Sequence, residues 1–280
     1  MKIIETDLIT KEVSRLCIEA ATYIESDVLN SIKKALDNEK GLSKEILEQI
    51  VENDILATNE HVPMCQDTGI TVVFVELGYD VHINGDLYDA INKGISIGYT
   101  EGYLRKSVVK SPLNRINTKD NTPGIIHVKM VKGDNLKITI CPKGAGSENM
   151  SKVKMLTPAD GINGIKKFVL DTVKEAGGRP CPPLIVGVGI GGDIEKAALI
   201  AKEALLRPID DESDDLDAKK LEKELLEELN KLNVGPMGLG GKTTALACKV
   251  NLYPCHIASL PVAVNIQCHA SRHKVVILWY

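Results

Sequence analysis

The stretch VPMCQDTG (62–69) stands directly before the strand-like run ITVVFVEL (70–77). Its proline and its final glycine predict a loop of fixed shape rather than a helix. Cys65, Gln66 and Asp67 follow one another inside that loop. A thiol can bind a metal, an amide can donate and accept hydrogen bonds, and a carboxylate can act as a base. Such a loop leading into a strand is typical of a functional site, although a buried structural cysteine beside an Asx turn explains it equally well.

Composition excludes several classes of protein. The chain has 280 residues, is 44% hydrophobic and carries a net charge of −4, which argues against a general nucleic-acid or membrane-surface binder. No apolar run approaches the roughly 20 residues that span a bilayer. The first residues, MKIIETDLITKEV, include acids where a signal peptide would be apolar. With seven cysteines and no small disulfide framework, we expect a cytoplasmic protein whose thiols are free, metal-bound or catalytic.

Apolar periodicity predicts helices over 7–58, with a break at NEKG (38–41) and a buried face that includes Ile55. A strand over 70–77 and a helix over about 86–103 should follow. The next segment, 104–124, is polar and contains five cations, so it predicts either a solvated loop or the rim of an anion site.

The second half of the chain alternates strands and helices. Segments 125–131 and 135–141 predict a β-hairpin, and helices are expected over 158–176, 193–206 and 209–232. The leucine stripe of the last helix suggests a surface helix or a contact with another subunit. Further strands should lie at 184–188, 245–252, 260–266 and 275–278. The fold class predicted is α/β (mixed α+β), a single domain over 1–280 with a mixed sheet and flanking helices.

Two glycine-rich segments resemble nucleotide-binding motifs. Gly187, Gly189 and Gly192 satisfy G-x-G-x-x-G after a strand, which keeps a dinucleotide-dependent oxidoreductase open as an alternative. In GPMGLGGKTT (235–244), a Walker A motif would need glycine where Pro236 stands. We therefore reject a P-loop there and expect a turn that binds a carboxylate or packs tightly.

Three cysteines, Cys65, Cys181 and Cys268, stand in loops constrained by glycine or proline or next to polar residues. No C-x-x-C pair is present, so a zinc ribbon is not supported. Separated thiolates can converge on one iron–sulfur cluster, but spacing alone favours buried, inert thiols.

Six segments together carry a more specific signal: VPMCQDTG, YLRKSV, KGAGSEN, CPPLIVGVGIGG, GPMGLGGKTTAL and CHIASLPVAVNIQC. In this order, from about residue 10 to the end, they resemble the class I iron–sulfur fumarase and L-tartrate dehydratase family. The resemblance implies a hydro-lyase with one [4Fe–4S] cluster, whose open iron acts as a Lewis acid on the hydroxyl and carboxylate of the substrate.

The resemblance also implies roles for individual residues. The cluster ligands would be Cys65, Cys181 and Cys268. Catalytic roles fall on Asp67 and His256, and substrate-binding roles on Gln66, Arg105 and Gly146. An arginine suits a dicarboxylate because its planar fork matches a carboxylate. Cys17, Cys141, Cys248 and Cys255 have no family role and are interpreted as core or bystander thiols.

Single-chain members of this family continue into a further domain, whereas this sequence stops just past Cys268. We therefore expect an alpha subunit whose active site is completed by a separate beta subunit in a hetero-oligomer. The expected reaction is the reversible hydration of fumarate to malate, with L-tartrate dehydration as the close alternative. A non-catalytic cluster subunit is a third hypothesis.

Overall fold

A computed structural model describes residues 2–279. The chain forms two compact units. Unit 1 contains the residues up to Ile24, Asp54–Ala145 and the residues from Arg272 on, and unit 2 contains Glu25–Asn53 and Gly146–Ser271. The predicted single domain over 1–280 stays a prediction, and its two terminal residues lie outside the described part.

The N-terminal helices are those that periodicity predicts. They are α1 (Thr6–Thr22), α2 (Ser26–Leu36) and α3 (Leu42–Glu60), and the division between the units falls inside α3. The break at 38–41 is confirmed, since these residues form a turn. The prediction that Ile55 is buried was wrong, because this side chain is 41% exposed. The preceding residue, Asp54, is buried instead.

Unit 1 is built on a mixed four-stranded sheet with the strand order β10-β5-β2-β4. Its strands are β2 (Ile70–Gly78), β4 (Ile125–Val131), β5 (Leu136–Lys143) and β10 (Lys274–Leu278). A separate parallel pair joins β1 (Lys2–Glu5) to β3 (Val81–Asn84).

The predicted hairpin of 125–131 with 135–141 was wrong. Strand β2 lies between β4 and β5, pairing parallel with the first and antiparallel with the second. The connection crosses the end of β2, where the Gly78 N–H donates to the Asn135 carbonyl over 3.0 Å. Strand β2 is largely buried and β4 is mostly exposed, so the more apolar strand takes the central place and β4 the edge.

Helix α1 packs closely against α4 (Leu87–Glu101) beside this sheet. Two glycines of α4 make the approach possible. A Cβ on Gly94 would lie 2.7 Å from the Thr10 carbonyl oxygen, and one on Gly98 would lie 2.7 Å from that of Ser14. Apolar side chains of both helices belong to one core, which includes the fully buried Tyr99.

Unit 2 contains a second mixed sheet with the order β6-β9-β7-β8. Its strands and helices are β6 (Lys152–Leu156), α6 (Gly161–Ala176), β7 (Leu184–Gly191), α7 (Ile194–Ala204), α8 (Leu216–Asn230), β8 (Ala245–Tyr253) and β9 (Leu260–Gln267). A short helix α5 (Ala145–Glu148) precedes them. The predicted mixture of sheets and flanking helices is confirmed.

Helices cover both faces of this second sheet. Val186 and Val188 of β7 belong to the apolar core that contains side chains of α6 and α8. The alternate residues Gly187 and Gly189 face α7 on the opposite side. The leucine stripe of α8 lies in this core, with Leu225 fully buried, so the prediction that it contacts another subunit was wrong.

Within 2–279 no helix is long and apolar enough to cross a membrane.

Candidate functional site

The Asp67 carboxylate is the best-anchored group of the VPMCQDTG loop. Its Oδ1 accepts the Gly69 N–H over 3.0 Å, and its Oδ2 accepts the Ala145 N–H over 2.9 Å. Arg105 adds an ion pair, with 3.3 Å between its Nη2 and Oδ1 of Asp67. Three of the motifs, VPMCQDTG, YLRKSV and KGAGSEN, therefore meet at one carboxylate.

Arg105 is positioned through its backbone as well as its side chain. The Thr68 hydroxyl donates to the Arg105 carbonyl over 2.9 Å. The buried Asn121 side chain donates to the Gly69 carbonyl over 3.1 Å and accepts the Ser107 N–H over 2.7 Å. These bonds tie the start of the cationic segment 104–124 to the loop, so that start is held in place by hydrogen bonds.

Tyr99 holds the same loop through hydrogen bonds to its backbone. Its hydroxyl donates to the Thr68 carbonyl over 2.7 Å and to the Gly69 carbonyl over 3.2 Å. Burial raises the pKa of the Tyr99 hydroxyl. This phenol therefore stays protonated and holds the loop as a neutral hydrogen-bond donor.

The arrangement limits what Asp67 can do chemically. Each of its oxygens already accepts a backbone N–H, and Oδ1 also faces a guanidinium. Arg105, in contrast, is 54% exposed and has donors to spare for an incoming carboxylate. The geometry suits Asp67 to orienting Arg105 and suits Arg105 to binding an anion.

Unit 2 brings two of the predicted cluster cysteines into neighbouring loops. The Cys181 carbonyl accepts the N–H of His269, the residue after Cys268, over 3.3 Å. The Pro182 carbonyl accepts the Met237 N–H over 2.8 Å. This hydrogen bond ties the GPMGL segment to the loop that contains Cys181. Cys181 itself adopts a left-handed backbone conformation with a φ of 54°. Such a conformation is unusual for a cysteine and is found mostly where a site demands it.

The remaining predicted residues lie at the surface. His256 is exposed, and its Nδ1 accepts the Ala258 N–H over 3.1 Å, which places the ring proton of the neutral form on Nε2. Gln66 is exposed, and so is Gly146, where an added Cβ would lie 3.2 Å from the Arg179 carbonyl oxygen. The site roles of these residues stay predictions.

None of the seven cysteines, all of which lie within residues 2–279, forms a disulfide. The three predicted cluster ligands are partly exposed, whereas Cys17, Cys141 and Cys248 are buried and Cys255 is exposed. Burial raises the pKa of the Cys17 thiol to about 12 and raises that of Cys248 as well. The interpretation of Cys17, Cys141 and Cys248 as core thiols is confirmed by their burial.

This difference in burial predicts a labelling pattern. We expect iodoacetamide at pH 8 to modify Cys255 readily and to leave Cys17 and Cys248 unmodified, because only a thiolate that solvent can reach reacts. Peptide mass spectrometry of the native protein would measure this. Labelling in denaturant, where all seven should react, is the control. Equal labelling of Cys17 and Cys255 in the native protein would contradict the burial described here.

The donors match an iron–sulfur cluster in chemistry. Partly exposed cysteines that form no disulfide are the ligands such a cluster uses. Within the described residues, no group of three or more His, Cys, Asp or Glu is close enough to hold a metal ion. Such a group would bind a single ion, whereas each cysteine of a cluster binds a different iron.

The glycines of the dinucleotide-like motif serve helix packing. Gly187 and Gly189 lie inside β7, where a Cβ would collide with the carbonyl oxygens of Ala201 and Ala197 in α7. The N-terminus of α7 is capped by Asp193, whose carboxylate accepts the Lys196 N–H over 2.8 Å. A Rossmann fingerprint instead places its glycines in the turn and offers that helix terminus to a pyrophosphate.

The second glycine-rich segment does bind a carboxylate, and it is one from the same unit. Oε1 of the buried Glu39 accepts the Thr243 N–H over 2.6 Å, and its Oε2 accepts the Ser43 hydroxyl over 2.9 Å. A Cβ on Gly241 would lie 3.0 Å from Oε2. This turn is therefore a structural link to the start of α3.

Comparison with known proteins shows which family these motifs belong to. The family model described as fumarate hydratase (Fumerase) matches residues 10–277. The chain belongs to this family. Its motifs and relatives make it an alpha subunit of the class I fumarase and tartrate dehydratase type, a hydro-lyase. The oxidoreductase alternative is wrong.

The relatives of this fumarase-family chain align over nearly its whole length. A Methanocaldococcus jannaschii protein, provisionally named as an L(+)-tartrate dehydratase subunit alpha, is 44% identical over 275 residues, or 95% of this chain and 96% of that protein. The L(+)-tartrate dehydratase subunit alpha of Escherichia coli O157:H7 is 29% identical over 275 residues. The alignment covers 96% of this chain and 90% of that protein.

The sequence did not reveal the role of several residues that hold the site in place. Tyr99 lies in a helix of ordinary pattern, Asn121 lies in the cationic segment and Thr68 lies inside VPMCQDTG, but the sequence did not show that these three side chains hold the loop. Asn121 has a positive φ of 63°. In the sequence, the proline two residues after it is the signal of a turn there.

Proposed function

We propose that this chain is the cluster-bearing alpha subunit of a hydro-lyase that interconverts fumarate and malate in the cytoplasm. The observation that carries the proposal is the convergence of three motifs on Asp67, which leaves the Arg105 guanidinium oriented and partly exposed. A dicarboxylate needs such a cation. Seven cysteines without a disulfide support a reducing compartment.

Each proposed site residue has a distinct chemical role. Arg105 binds one substrate carboxylate, and Asp67 fixes the guanidinium that does so. Gln66 and the backbone at Gly146 contribute hydrogen bonds to the same ligand. His256 carries its neutral-form proton on Nε2 and can donate it to the leaving hydroxyl.

The cofactor proposed is a [4Fe–4S] cluster held by Cys65, Cys181 and Cys268. When bound, it supplies a Lewis-acidic iron with an open coordination position, which weakens the C–O bond of a hydroxyl group. The support is the donor set described above and the family to which the chain belongs.

L-Tartrate dehydration is the second candidate, favoured by the names of the relatives. Malate and tartrate differ by one hydroxyl on a four-carbon dicarboxylate. A site that hydrogen-bonds that extra hydroxyl would discriminate strongly against malate, whereas a site without such a partner would accept both. Among the residues proposed here, none is specific to the second hydroxyl.

Activity with and without a partner subunit tests the proposal. We expect the alpha subunit, reconstituted anaerobically with iron and sulfide, to be nearly inactive alone and to become active when a separate beta subunit is added. The relatives are named as alpha subunits, which supports this expectation. Steady-state rates of fumarate formation from malate, and of dehydration of L-tartrate, would be measured in parallel.

The outcomes separate the alternatives. A kcat/KM for malate well above that for tartrate supports the fumarase function, and the reverse ratio supports tartrate dehydratase. Full turnover by the isolated chain would refute the need for a beta subunit. Bound iron with no activity toward either substrate in any combination would favour a non-catalytic cluster subunit.

A further inference from the structure

Glu148, the last residue of α5, links the segment GSEN (146–149), called the GSEN turn below, to two other elements of unit 2. Its Oε1 accepts a hydrogen bond from Nζ of Lys202 over 2.7 Å, and its Oε2 accepts one from Nδ2 of Asn265 over 3.3 Å. Lys202 lies in α7 and Asn265 lies in β9. One carboxylate therefore ties the turn to a helix and to a strand.

The ion pair is sheltered from solvent on the lysine side. The Lys202 side chain is only 15% exposed, whereas the Glu148 side chain is 40% exposed, and the neighbouring Asn265 is buried. Removing the carboxylate would leave a mostly buried ammonium group without this counter-ion, which is unfavourable. We therefore expect the turn to rearrange when the pair is lost.

Packing alone does not hold Glu148 in place. A cavity of about 240 Å³ lies beside the ion pair, and its lining includes Glu148, Lys202 and Asn265 as well as the apolar residues Val153 and Ala263. Within residues 2–279 no side chain fills this space. Close-packed neighbours are what fixes a side chain in a protein interior, so here the polar contacts take that role.

Gly146 stands on the same single turn of helix as Glu148. It is exposed, and an added Cβ would lie 3.2 Å from the Arg179 carbonyl oxygen. Arg179 precedes Cys181 by two residues. The Gly146 backbone therefore lies at the surface next to the loop that carries Cys181. A shift of Glu148 changes the position of Gly146 directly, because the two residues are less than one helical turn apart.

Stability by itself explains little of this arrangement. Partly exposed ion pairs contribute little to the free energy of unfolding, because solvent screens them and two long side chains lose conformational freedom. Loss of the Glu148–Lys202 pair should therefore change the position of the GSEN turn more than the stability of unit 2.

We propose that Glu148 and Lys202 are positioning residues for the hydro-lyase reaction. Their ion pair holds the GSEN turn so that the Gly146 backbone meets the substrate, and neither side chain touches the substrate itself. The inference rests on the proposed function, which gives the Gly146 backbone a hydrogen bond to the ligand.

The test uses the complete alpha–beta complex, reconstituted anaerobically with iron and sulfide. Wild type would be compared with Glu148→Gln, with Lys202→Gln and with the double variant Glu148→Lys, Lys202→Glu. Lys219→Gln, which breaks the exposed ion pair of Lys219 with Glu212 in the same unit, is the matched control. Four quantities would be measured: kcat and KM for malate and tartrate, iron content, Tm, and hydrogen exchange of the peptide that contains Gly146.

We expect each single variant at Glu148 or Lys202 to raise KM by about tenfold and to leave kcat within about threefold, because a contact made equally in the ground state and the transition state is weakened. Hydrogen exchange in the GSEN turn should become faster, while iron content and Tm stay as in wild type. The double variant should return KM to within about threefold of wild type, since opposite charges meet again. Lys219→Gln should keep KM and the exchange rate within about twofold.

Three results would overturn the inference. The first is faster exchange in the turn with an unchanged KM, which indicates a merely structural ion pair. The second is a joint fall of iron content, Tm and kcat in the single variants, which indicates a role in folding or in holding the cofactor. The third is a double variant as impaired as the single ones, which shows that pairing of the two charges is not what matters.

Failure of the proposed function would look different. A wild-type complex that dehydrates neither malate nor tartrate refutes that function, and the positioning role with it, whatever the exchange rates are. An active complex whose KM is the same with and without the Glu148–Lys202 pair refutes the positioning role alone.

Discussion

Replacing Cys181 with serine is expected to remove bound iron and hydro-lyase activity together. After anaerobic reconstitution, we expect about four irons per wild-type chain and far fewer in Cys181→Ser, because a serine hydroxyl is a poor substitute for a thiolate ligand. Activity should fall below detection, since the Lewis acid is lost with the cluster. Iron and sulfide analysis and the absorbance of the cluster would measure the effect.

Cys255→Ser is the matched control for this experiment. Cys255 forms no disulfide and is exposed, and its thiol donates to the Ser259 carbonyl over 3.4 Å. The same change of sulfur to oxygen there should leave iron content and rate unchanged. If no iron binds and the two variants and wild type are alike, the cluster hypothesis fails. If Cys255→Ser loses iron as well, the ligand assignment is wrong.

Replacing Asp67 with asparagine should lower kcat/KM for malate by roughly 10²- to 10⁴-fold, the usual range for a positioned acid–base or orienting group. An amide keeps the shape but can accept at only one end, so its NH₂ group would face one of the two backbone N–H donors. Arg105 would also lose its ion pair. Steady-state kinetics and thermal unfolding would be measured together.

Asp120→Asn gives the comparison for Asp67→Asn. Asp120 also accepts a backbone N–H, that of Thr122, over 3.0 Å. Burial raises the pKa of its carboxyl group, but this hydrogen bond from the Thr122 backbone opposes burial, and the pKa lies below its usual value. It lies in the same unit but makes no contact with Arg105 among those described. We expect its activity to stay within about twofold of wild type. Equal loss in both variants would show that the effect comes from loop stability alone.

The kinetic pattern separates the two roles considered for Asp67. If the carboxylate only orients Arg105, the substrate affinity should fall and kcat should change less. If it also moves a proton, kcat should fall at saturating substrate. The hydrogen bonds described above favour the orienting role, and a loss confined to kcat would contradict it.

Local sequence signals identified most elements correctly where they are strong. The N-terminal helices, strand β2 and helix α4 follow from apolar periodicity and from breakers such as Gly41 and Gly85. The hairpin was wrong because alternation and a polar turn are local, whereas the insertion of β2 between β4 and β5 depends on which strand buries the most apolar surface. A leucine stripe likewise does not reveal whether it faces its own core or another chain.

The same contrast holds for the site. By itself the sequence determined the motifs, the family to which they point, the loop around Asp67 and the cationic segment after Tyr103, because glycine, proline and charge act over a few residues. Only the tertiary structure decided that Asp67 is held from three directions, that the glycines of β7 serve helix packing, and that Glu148 pairs with Lys202. Those facts depend on contacts between residues far apart in the chain, and burial and hydrogen-bond satisfaction exist only once such contacts have formed.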